Sequence, residues 1–589
     1  MSRILISGLL ALTCAGAWSL DAPIAWQARW NEALFAEAGR THRFVLLDLH
    51  AVWCHWCHVM DEETYADPKV RRLIAAHYVP VSIDADADPA LTSRYGDWGW
   101  PATIVLAADG TEIVKRRGFI PPEQMASLLQ AIIDDPTPGP SVEAAAAPKT
   151  ARSPALEPAQ RAGLVHTYEA LYDPAHGGWG EVHKYLDAPT MEYTLAHLDA
   201  PDTGKTAESR ARQTLDANLT LIDPVWGGVY QYSDAIDWRS PHFEKLLAFQ
   251  ADDLRLYSLA WARWRDPRYL DAARALHRYL VEFLRSPEGA FYVSQDADLS
   301  QEVTGHAFYA RDDGQRRALG IPRVDTHLYA RENGWAITAL CRYHDVTGEA
   351  APLEEARRAA EWVLAHRALP AGGFRHGEAD VGGPFLGDSL AMGQAFLALY
   401  RSSGERHWLE KSRAAMAFIQ ARFKDPRGGY ISAPPAAGAS GVFREPVRAL
   451  DENSGVVRLA NRLRWESGDK RYAGLAAHGM RYLASVARED RLEAEILVAD
   501  AELVGPPVHI TIVGGRHDPA AAALHAAALT YPAEYLQVDW WDRSEGPPPS
   551  PEITYPALPR AAAFACTANS CSTPVFEPEC IAPAVRAAL

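Results

Sequence analysis

Residues 44 to 65 decide how the N-terminal part of this chain folds, and residues 53–58 at their centre read Trp-Cys-His-Trp-Cys-His. The apolar run at 44–47 predicts a buried strand, and residues 59–65 predict a helix that starts within the motif. Backbone N–H groups at a helix N-terminus stabilise a thiolate. We therefore expect Cys54 to be the attacking thiol of a redox-active disulfide and Cys57 the resolving thiol.

Two residues outside the motif favour the same chemistry. Asp48 precedes Cys54 on the entering strand, where a buried carboxylate can relay protons to the resolving thiol. Pro101 opens the apolar run 102–106 at the first position of a strand, where proline is tolerated, and a cis bond there would let it face the dithiol. With the W-C-x-x-C motif, these features make residues 40–135 resemble a thioredoxin domain.

A zinc site is the alternative interpretation of the two cysteines, with His55 or His58 as a further ligand. No second Cys-x-x-Cys or His-x-x-x-His follows at the spacing that zinc ligands need. We therefore expect no metal and no cofactor other than the Cys54–Cys57 disulfide.

Length and composition set broad limits. A chain of 589 residues should hold two to four domains, and 48% hydrophobic and 10% aromatic residues indicate a globular protein. The net charge of −17 argues against nucleic acid or an anionic membrane as the main partner.

The N-terminus predicts export. Arg3, the apolar run 4–12 and the small residues 15–17 form a signal peptide over residues 1–17, with an uncleaved anchor as the alternative. We expect no later membrane span. A periplasmic or extracellular location would place the dithiol in an oxidising compartment.

The chain beyond the thioredoxin-like domain, residues 22–135, changes pattern twice. Residues 136–158 are rich in Pro, Ala and Ser and predict a linker. Residues 159–490 carry amphipathic helices in pairs, separated by a recurring Asp-Pro-x-x-Gly-Gly sequence at 173–178 and 223–228, with weaker copies at 286–291, 370–374 and 425–430. Such a repeat predicts an (α/α)6 toroid, with an open solenoid as the alternative.

Residues 491–589 predict a small α/β appendage with strands near 508–513 and 535–538 and a helix over 520–528. Cys566, Cys571 and Cys580 follow in the tail. Of these, Cys566 and Cys571 pair most easily by spacing, and a second redox relay is the alternative.

Polar residues on the toroid loops predict a second site. His242 and Glu244 precede a helix, Asp296 and Asp298 follow a short strand, and Asp388 opens a later helix. Carboxylates among aromatic residues are typical of sugar binding and of glycosidic acid–base catalysis. The alternative is that these residues are ordinary helix caps.

Several motifs together resemble one family, the large thioredoxin-domain family that includes spermatogenesis-associated protein 20. They are W-C-H-W-C-H-V-M, the G-W-P strand, G-G-V-Y-Q-Y-S before P-H-F-E-K-L-L, and S-Q-D-A-D. The resemblance implies a thioredoxin domain fused to a six-hairpin toroid related to sugar epimerases and hydrolases. Two departures stand out: the acidic stretch 84–89, and Gly387-Asp388 where the family pairs two acids, which weakens a sugar reaction.

The sequence thus predicts a multidomain protein with a thioredoxin-like α/β fold, an all-α toroid and a small α/β appendage. We expect an exported thiol–disulfide oxidoreductase that exchanges with protein clients or a redox partner, with the toroid binding clients or carbohydrate. The alternatives are a carbohydrate-active isomerase, epimerase or hydrolase with a regulatory thioredoxin-like domain, and a binding scaffold without turnover. The direction of electron flow stays open, because the histidine between the cysteines tunes the potential.

Overall fold

The computed structural model describes residues 23–142, 150–180, 182–379, 382–436, 438–550, 553–567 and 570–588. The predicted signal peptide and part of the predicted linker lie outside these residues. The described chain forms two units: the first contains the described residues of Met1–Leu49, Trp56–Ile83 and Trp98–Glu143, and the second those of His50–His55, Asp84–Asp97 and Ala144–Leu589. Within the described ranges, no helix has both the length and the apolar character needed to span a bilayer.

A four-stranded sheet with the order β2-β1-β3-β4 organises the N-terminal region. Its strands are β1 Phe44–His50, β2 Tyr78–Asp84, β3 Ala102–Leu106 and β4 Glu112–Arg117, and its helices are α1 Glu32–Thr41, α2 His55–Val59, α3 Pro68–His77, α4 Pro89–Tyr95 and α5 Pro122–Asp134. Strand β3 runs antiparallel to both β1 and β4. The central residues of β1 and all of β3 are buried, as their apolar runs predict.

The second unit contains a closed ring of helices. They are α6 Pro158–Ala170, α7 Ala188–Ala196, α8 Gly204–Asn218, α9 Leu247–Trp264, α10 Pro267–Tyr279, α11 Gly305–Tyr309, α12 Asp313–Leu319, α13 Ala330–Thr347, α14 Ala350–His366, α15 Leu386–Ser403, α16 Arg406–Arg422, α17 Leu450–Ser467, α18 Lys470–Val486 and α19 Ala494–Val504. Helices α7, α9, α13, α15, α17 and α19 pack in this order, and α19 packs back on α7. The toroid is confirmed and the open solenoid is wrong. The ring also extends past the predicted boundary at residue 490, because α19 completes it.

The recurring Asp-Pro-x-x-Gly-Gly sequence closes the loop after an outer helix. In the first two copies, the backbone N–H of Asp173 and of Asp223 donates to the carbonyl of the second glycine. Both glycines of each pair have a positive φ near 77°, which other residues adopt at a cost. Each of the five copies also forms an isolated antiparallel bridge: Tyr172–Trp179, Ile222–Val229, Arg285–Phe291, Ala368–Phe374 and Lys424–Tyr430.

Short strands lie on the loops before the inner helices and carry several predicted site residues. They are β5 Tyr232–Ser233, β6 Pro241–His242, β7 Lys245–Leu246, β8 Ser294–Gln295 and β9 Val324–Asp325. Strand β5 pairs with β6, while β7, β8 and β9 form a three-stranded sheet. His242 and Glu244 therefore precede α9, as predicted, and lie in and beside short strands.

The C-terminal appendage is a three-stranded sheet with the order β11-β10-β12. Its elements are β10 Val508–Val513, α20 Pro519–Leu529, β11 Leu536–Trp541, β12 Ala562–Cys566 and α21 Ile581–Ala588. Strand β10 is parallel to β11 and antiparallel to β12. Cys566 and Cys571 form the expected disulfide, and Cys580 is a free, exposed thiol.

Candidate active site

The two cysteines of the motif are both disulfide-bonded, and both side chains are buried. Helix α2 begins at His55, directly after Cys54, and carries Cys57. Trp56, between them, keeps 44% of its surface exposed. The pair is therefore oxidised, and the indole of Trp56 between the two cysteines packs near the ring of Phe119, with ring centres 5.9 Å apart.

Asp48 is buried in the middle of β1 in the first unit. Its carboxylate accepts hydrogen bonds from the hydroxyls of Tyr65 at 3.2 Å and Ser82 at 3.0 Å. Burial raises the pKa of Asp48 to about 6, although both hydrogen bonds act to lower it. A carboxyl group with this pKa can take up and release a proton near neutral pH. Pro101 follows a cis peptide bond and directly precedes β3.

His55 pairs with one of the residues predicted for the second site. Its Nδ1 lies 2.5 Å from Oδ2 of Asp298, whose other oxygen accepts from the backbone N–H of Gly305 at 2.6 Å. The hydrogen bond to Asp298 is the largest influence on the pKa of His55 and raises it, against the effect of burial. The histidine that follows Cys54 is therefore held as an imidazolium over a wider pH range than a free histidine.

His242 and Glu244 lie near this pair. Glu244 raises the pKa of His55 and His242 lowers it, through their charges. His242 stacks on Tyr232 with ring centres 4.3 Å apart, and its ring nitrogens lie 3.2 Å from Asp234 and 3.7 Å from Glu244. Burial lowers the pKa of His242, but the two carboxylates outweigh burial and the net shift is upward.

Asp296 stabilises the loop that carries Asp298. It is buried, and its Oδ1 accepts from the backbone N–H of Asp298 at 3.1 Å. Thus three of the five residues predicted for a separate sugar site, His242, Glu244 and Asp298, act on the histidine of the dithiol motif, and Asp296 holds the backbone of Asp298.

Asp388 lies in a different cluster. It is fully buried at the start of α15 and accepts from the backbone N–H of Arg331 at 3.0 Å. Its Oδ1 lies 2.8 Å from Nδ1 of His376, whose Nε2 lies 2.7 Å from the carbonyl of Asp86. Burial lowers the pKa of His376, but the charge and hydrogen bond of Asp388 raise it to about 9.

Asp86 connects this second cluster to the motif. Its Oδ2 accepts from the indole N–H of Trp53 at 2.7 Å, so residues 53 and 55 on either side of Cys54 are held by different acids. His376 and Asp86 had no signal as site residues in the sequence. Asp86 is part of the acidic stretch 84–89, which was notable only as a departure from the family pattern.

A cavity of about 890 Å³ lies within the ring of helices in the second unit. Its lining includes Glu452, Arg331, Trp335 and Gln394. Burial raises the pKa of Glu452 to about 8, and Asp451 adds to the effect. Glu452 is thus a carboxyl group that holds its proton at neutral pH.

Comparison with known proteins agrees with the N-terminal architecture. Residues 18–134 match the family model Thioredox_DsbH, described as a protein of unknown function, DUF255. Thiol:disulfide interchange protein DsbD of Ralstonia nicotianae is 37% identical over 107 residues, 17% of each chain. Spermatogenesis-associated protein 20 of Homo sapiens is 26% identical over 313 residues, which are 48% of this chain and 40% of that protein.

Solved structures that align with the chain include two sugar-converting enzymes. Cellobiose 2-epimerase from Bacillus thermoamylovorans aligns with a TM-score of 0.45 and 10% identity over 56% of this chain and 88% of its own. A D-mannose isomerase aligns with a TM-score of 0.45 and 11% identity over 59% of this chain and 96% of its own. Residues 18–134 are therefore similar to the Thioredox_DsbH family, and the predicted resemblance to spermatogenesis-associated protein 20 is confirmed as a similarity over about half of the chain.

Proposed function

We propose that this protein is an exported thiol–disulfide oxidoreductase that exchanges its Cys54–Cys57 disulfide with protein thiols. The observation that carries the proposal is a buried carboxyl group, Asp48, with a pKa of about 6 on the strand that leads into the disulfide-bonded pair. Similarity to thiol:disulfide interchange protein DsbD over the same region supports it. The export part of the proposal rests on the sequence of residues 1–17.

In the oxidising direction, a client thiolate attacks the sulfur of Cys54 and the Cys54–Cys57 bond breaks. Cys57 leaves as a thiolate and takes a proton, a transfer that we assign to Asp48 because its pKa suits a proton donor near neutral pH. A second client thiolate then attacks the client sulfur of the mixed disulfide. Cys54 leaves as a thiolate beside His55, the client is oxidised by two electrons, and the dithiol is reduced.

The helical ring has the role of a client-binding or carbohydrate-binding module in this proposal. Its loop residues Asp298, Glu244 and His242 surround His55, so the loops that precede α9 and α13 control the charge next to Cys54. A client that contacts these loops would be presented directly to the first cysteine.

The test is a Cys57→Ser variant expressed with its signal sequence. Without the resolving thiol, Cys54 should retain clients as mixed disulfides, which separate off the diagonal in non-reducing/reducing gels. The matched control is Cys54→Ser with Cys57→Ser, which should trap nothing. Equal patterns for the two variants, with Cys54 accessible to alkylation, would refute protein thiol exchange.

A second candidate function, a sugar isomerase, epimerase or hydrolase, is favoured by one observation. Glu452 has a pKa of about 8 and shares the 890 Å³ cavity with Trp335 and Arg331, a combination that can protonate and stack on a sugar. Calorimetric titration of the oxidised protein with mannose and cellobiose tests this function. Binding that disappears in Glu452→Gln supports it, and no heat with either sugar counts against it.

A further inference from the structure

Three residues that the proposed redox reaction does not use meet at one point of the second unit. Asp84 ends β2, Asp325 ends β9, and His327 follows two residues later. One ligand atom from each, two carboxylate oxygens and a ring nitrogen, lie within 4.8 Å of one another. We propose that Asp84, Asp325 and His327 bind a divalent transition-metal cation.

Asp325 is already arranged as a ligand. Its Oδ1 lies 2.6 Å from Nδ1 of His327 and accepts from the backbone N–H of the same residue at 3.1 Å. This contact holds the imidazole ring with Nδ1 towards the carboxylate, so an ion that takes the place of the Nδ1 proton would meet both groups.

The other oxygen of Asp325 gives an independent indication of a ligand. Among the residues that the structure describes, none donates a hydrogen bond to the buried Oδ2, and the residue as a whole is only 4% exposed. A buried carboxylate oxygen carries a desolvation cost that a hydrogen bond or a cation has to offset. A cation held between Asp325, Asp84 and His327 would offset it.

The charges around the three residues favour a cation. The carboxylates of Asp86 and Asp325 act on Asp84 through their charge, and those of Asp84 and Asp325 act on His327. Negative charge is thus concentrated at this point, and Arg323 is a cationic side chain that also acts on His327. A dication would reduce the repulsion among these carboxylates.

The donor set indicates the class of metal. Two carboxylate oxygens and one imidazole nitrogen suit Zn²⁺ or Mn²⁺ better than Ca²⁺, which prefers all-oxygen ligands. His327 lines a cavity of about 760 Å³ together with Tyr329 and His376, and its side chain is 60% exposed. An ion therefore has a path of entry and room for water in its remaining coordination positions.

The test measures ion binding by the oxidised full-length protein, so that Cys54, Cys57, Cys566 and Cys571 cannot act as thiolate ligands. Cys580 is changed to serine, because it is an exposed free thiol. After removal of metals with a chelator, equilibrium dialysis against Zn²⁺ and, separately, Mn²⁺ is followed by elemental analysis. We expect one ion per chain and a higher melting temperature with the ion than without it.

Two variants and one control make the result specific. Asp325→Asn and His327→Gln should each weaken binding at least about tenfold, and His327→Gln changes a mostly exposed side chain, so it should fold. His176→Gln removes a partly exposed histidine paired with Asp173 at 3.1 Å and should bind like the parent protein. The proposal is overturned if the parent protein binds neither ion, or if both site variants bind as tightly as the control.

Discussion

His55 Nδ1 lies 2.5 Å from the carboxylate of Asp298, which is 243 positions further along the chain. This pair joins two sets of residues that the sequence suggests as separate sites. The charge beside Cys54 therefore depends on a loop of the helical ring as well as on the motif itself. Both the acidity of the thiol and the ionisation of His55 can be measured.

The thiol of Cys54 should be more acidic than a free cysteine. In a Cys57→Ser variant, the pH dependence of alkylation by iodoacetamide should give a Cys54 pKa below about 8.5. The reason is that Asp298 raises the pKa of His55, and an imidazolium next to Cys54 stabilises the thiolate. His55→Gln in the same background should move this pKa upward. A Cys54 pKa at or above 8.5 would contradict the assignment of Cys54 as an activated nucleophile.

Replacing Asp298 should change the ionisation of His55. Asp298→Asn removes the largest influence that raises the pKa of His55, so this pKa should fall. The measurement is an NMR titration of ¹³C-labelled histidine side chains, with His55 assigned from a His55→Gln spectrum. Glu302→Gln, which removes an exposed acid near the same loop, should leave the His55 titration unchanged. Identical curves for Asp298→Asn and the native protein would show that the pair does not form.

Asp48 should make the protein less stable as the pH rises. Its folded pKa is raised from 3.8 to about 6, so the stability present below pH 4 is lost as the pH increases through 6. The loss amounts to about 3 kcal/mol for a shift of about two pKa units. Asp48→Asn should therefore be more stable than the native protein at pH 8, by up to this amount.

Differential scanning calorimetry of the full chain at pH 4 and pH 8 checks this prediction. Asp109→Asn is the matched control, because it removes an exposed turn carboxylate from the same unit. A melting temperature of Asp48→Asn that follows the native protein at both pH values would mean that Asp48 is not desolvated.

The architecture could be predicted from the sequence because its determinants are local. The apolar run of β1 and the Asp-Pro and Gly-Gly positions each act within a few residues, and the ring follows from repeating them. The position of α19 was harder to predict from the sequence, since a helix of 11 residues becomes part of the ring only through its packing on α7.

The site could be predicted only in part for the opposite reason. His242 with Glu244, and Asp296 with Asp298, are visible as short polar runs, but their approach to His55 depends on how the whole second unit closes. The contact between His376 and Asp86 spans 290 positions and involves a backbone carbonyl, so no pattern of side chains in the sequence predicts it. The proposed metal ligands Asp84 and Asp325 are also far apart in the sequence, so no local pattern of residues indicates them.

The pair formed by His376 and Asp388 should make stability depend on pH in the alkaline range. The pKa of His376 is raised from 6.5 to about 9 by Asp388 against the effect of burial, so the folded state binds a proton that the unfolded state has released. The stabilisation is present below pH 6.5 and is lost as the pH rises through 9, and it amounts to about 3 kcal/mol.

Asp388→Asn should abolish most of this loss and should be less stable than the native protein at pH 6, because a buried imidazolium would lose its counter-charge. Calorimetric melting temperatures at pH 6 and pH 9.5 measure the difference, with Asp271→Asn, an exposed helix carboxylate, as the control. If Asp388→Asn loses as much stability between these pH values as the control does, His376 is not held as an imidazolium by Asp388.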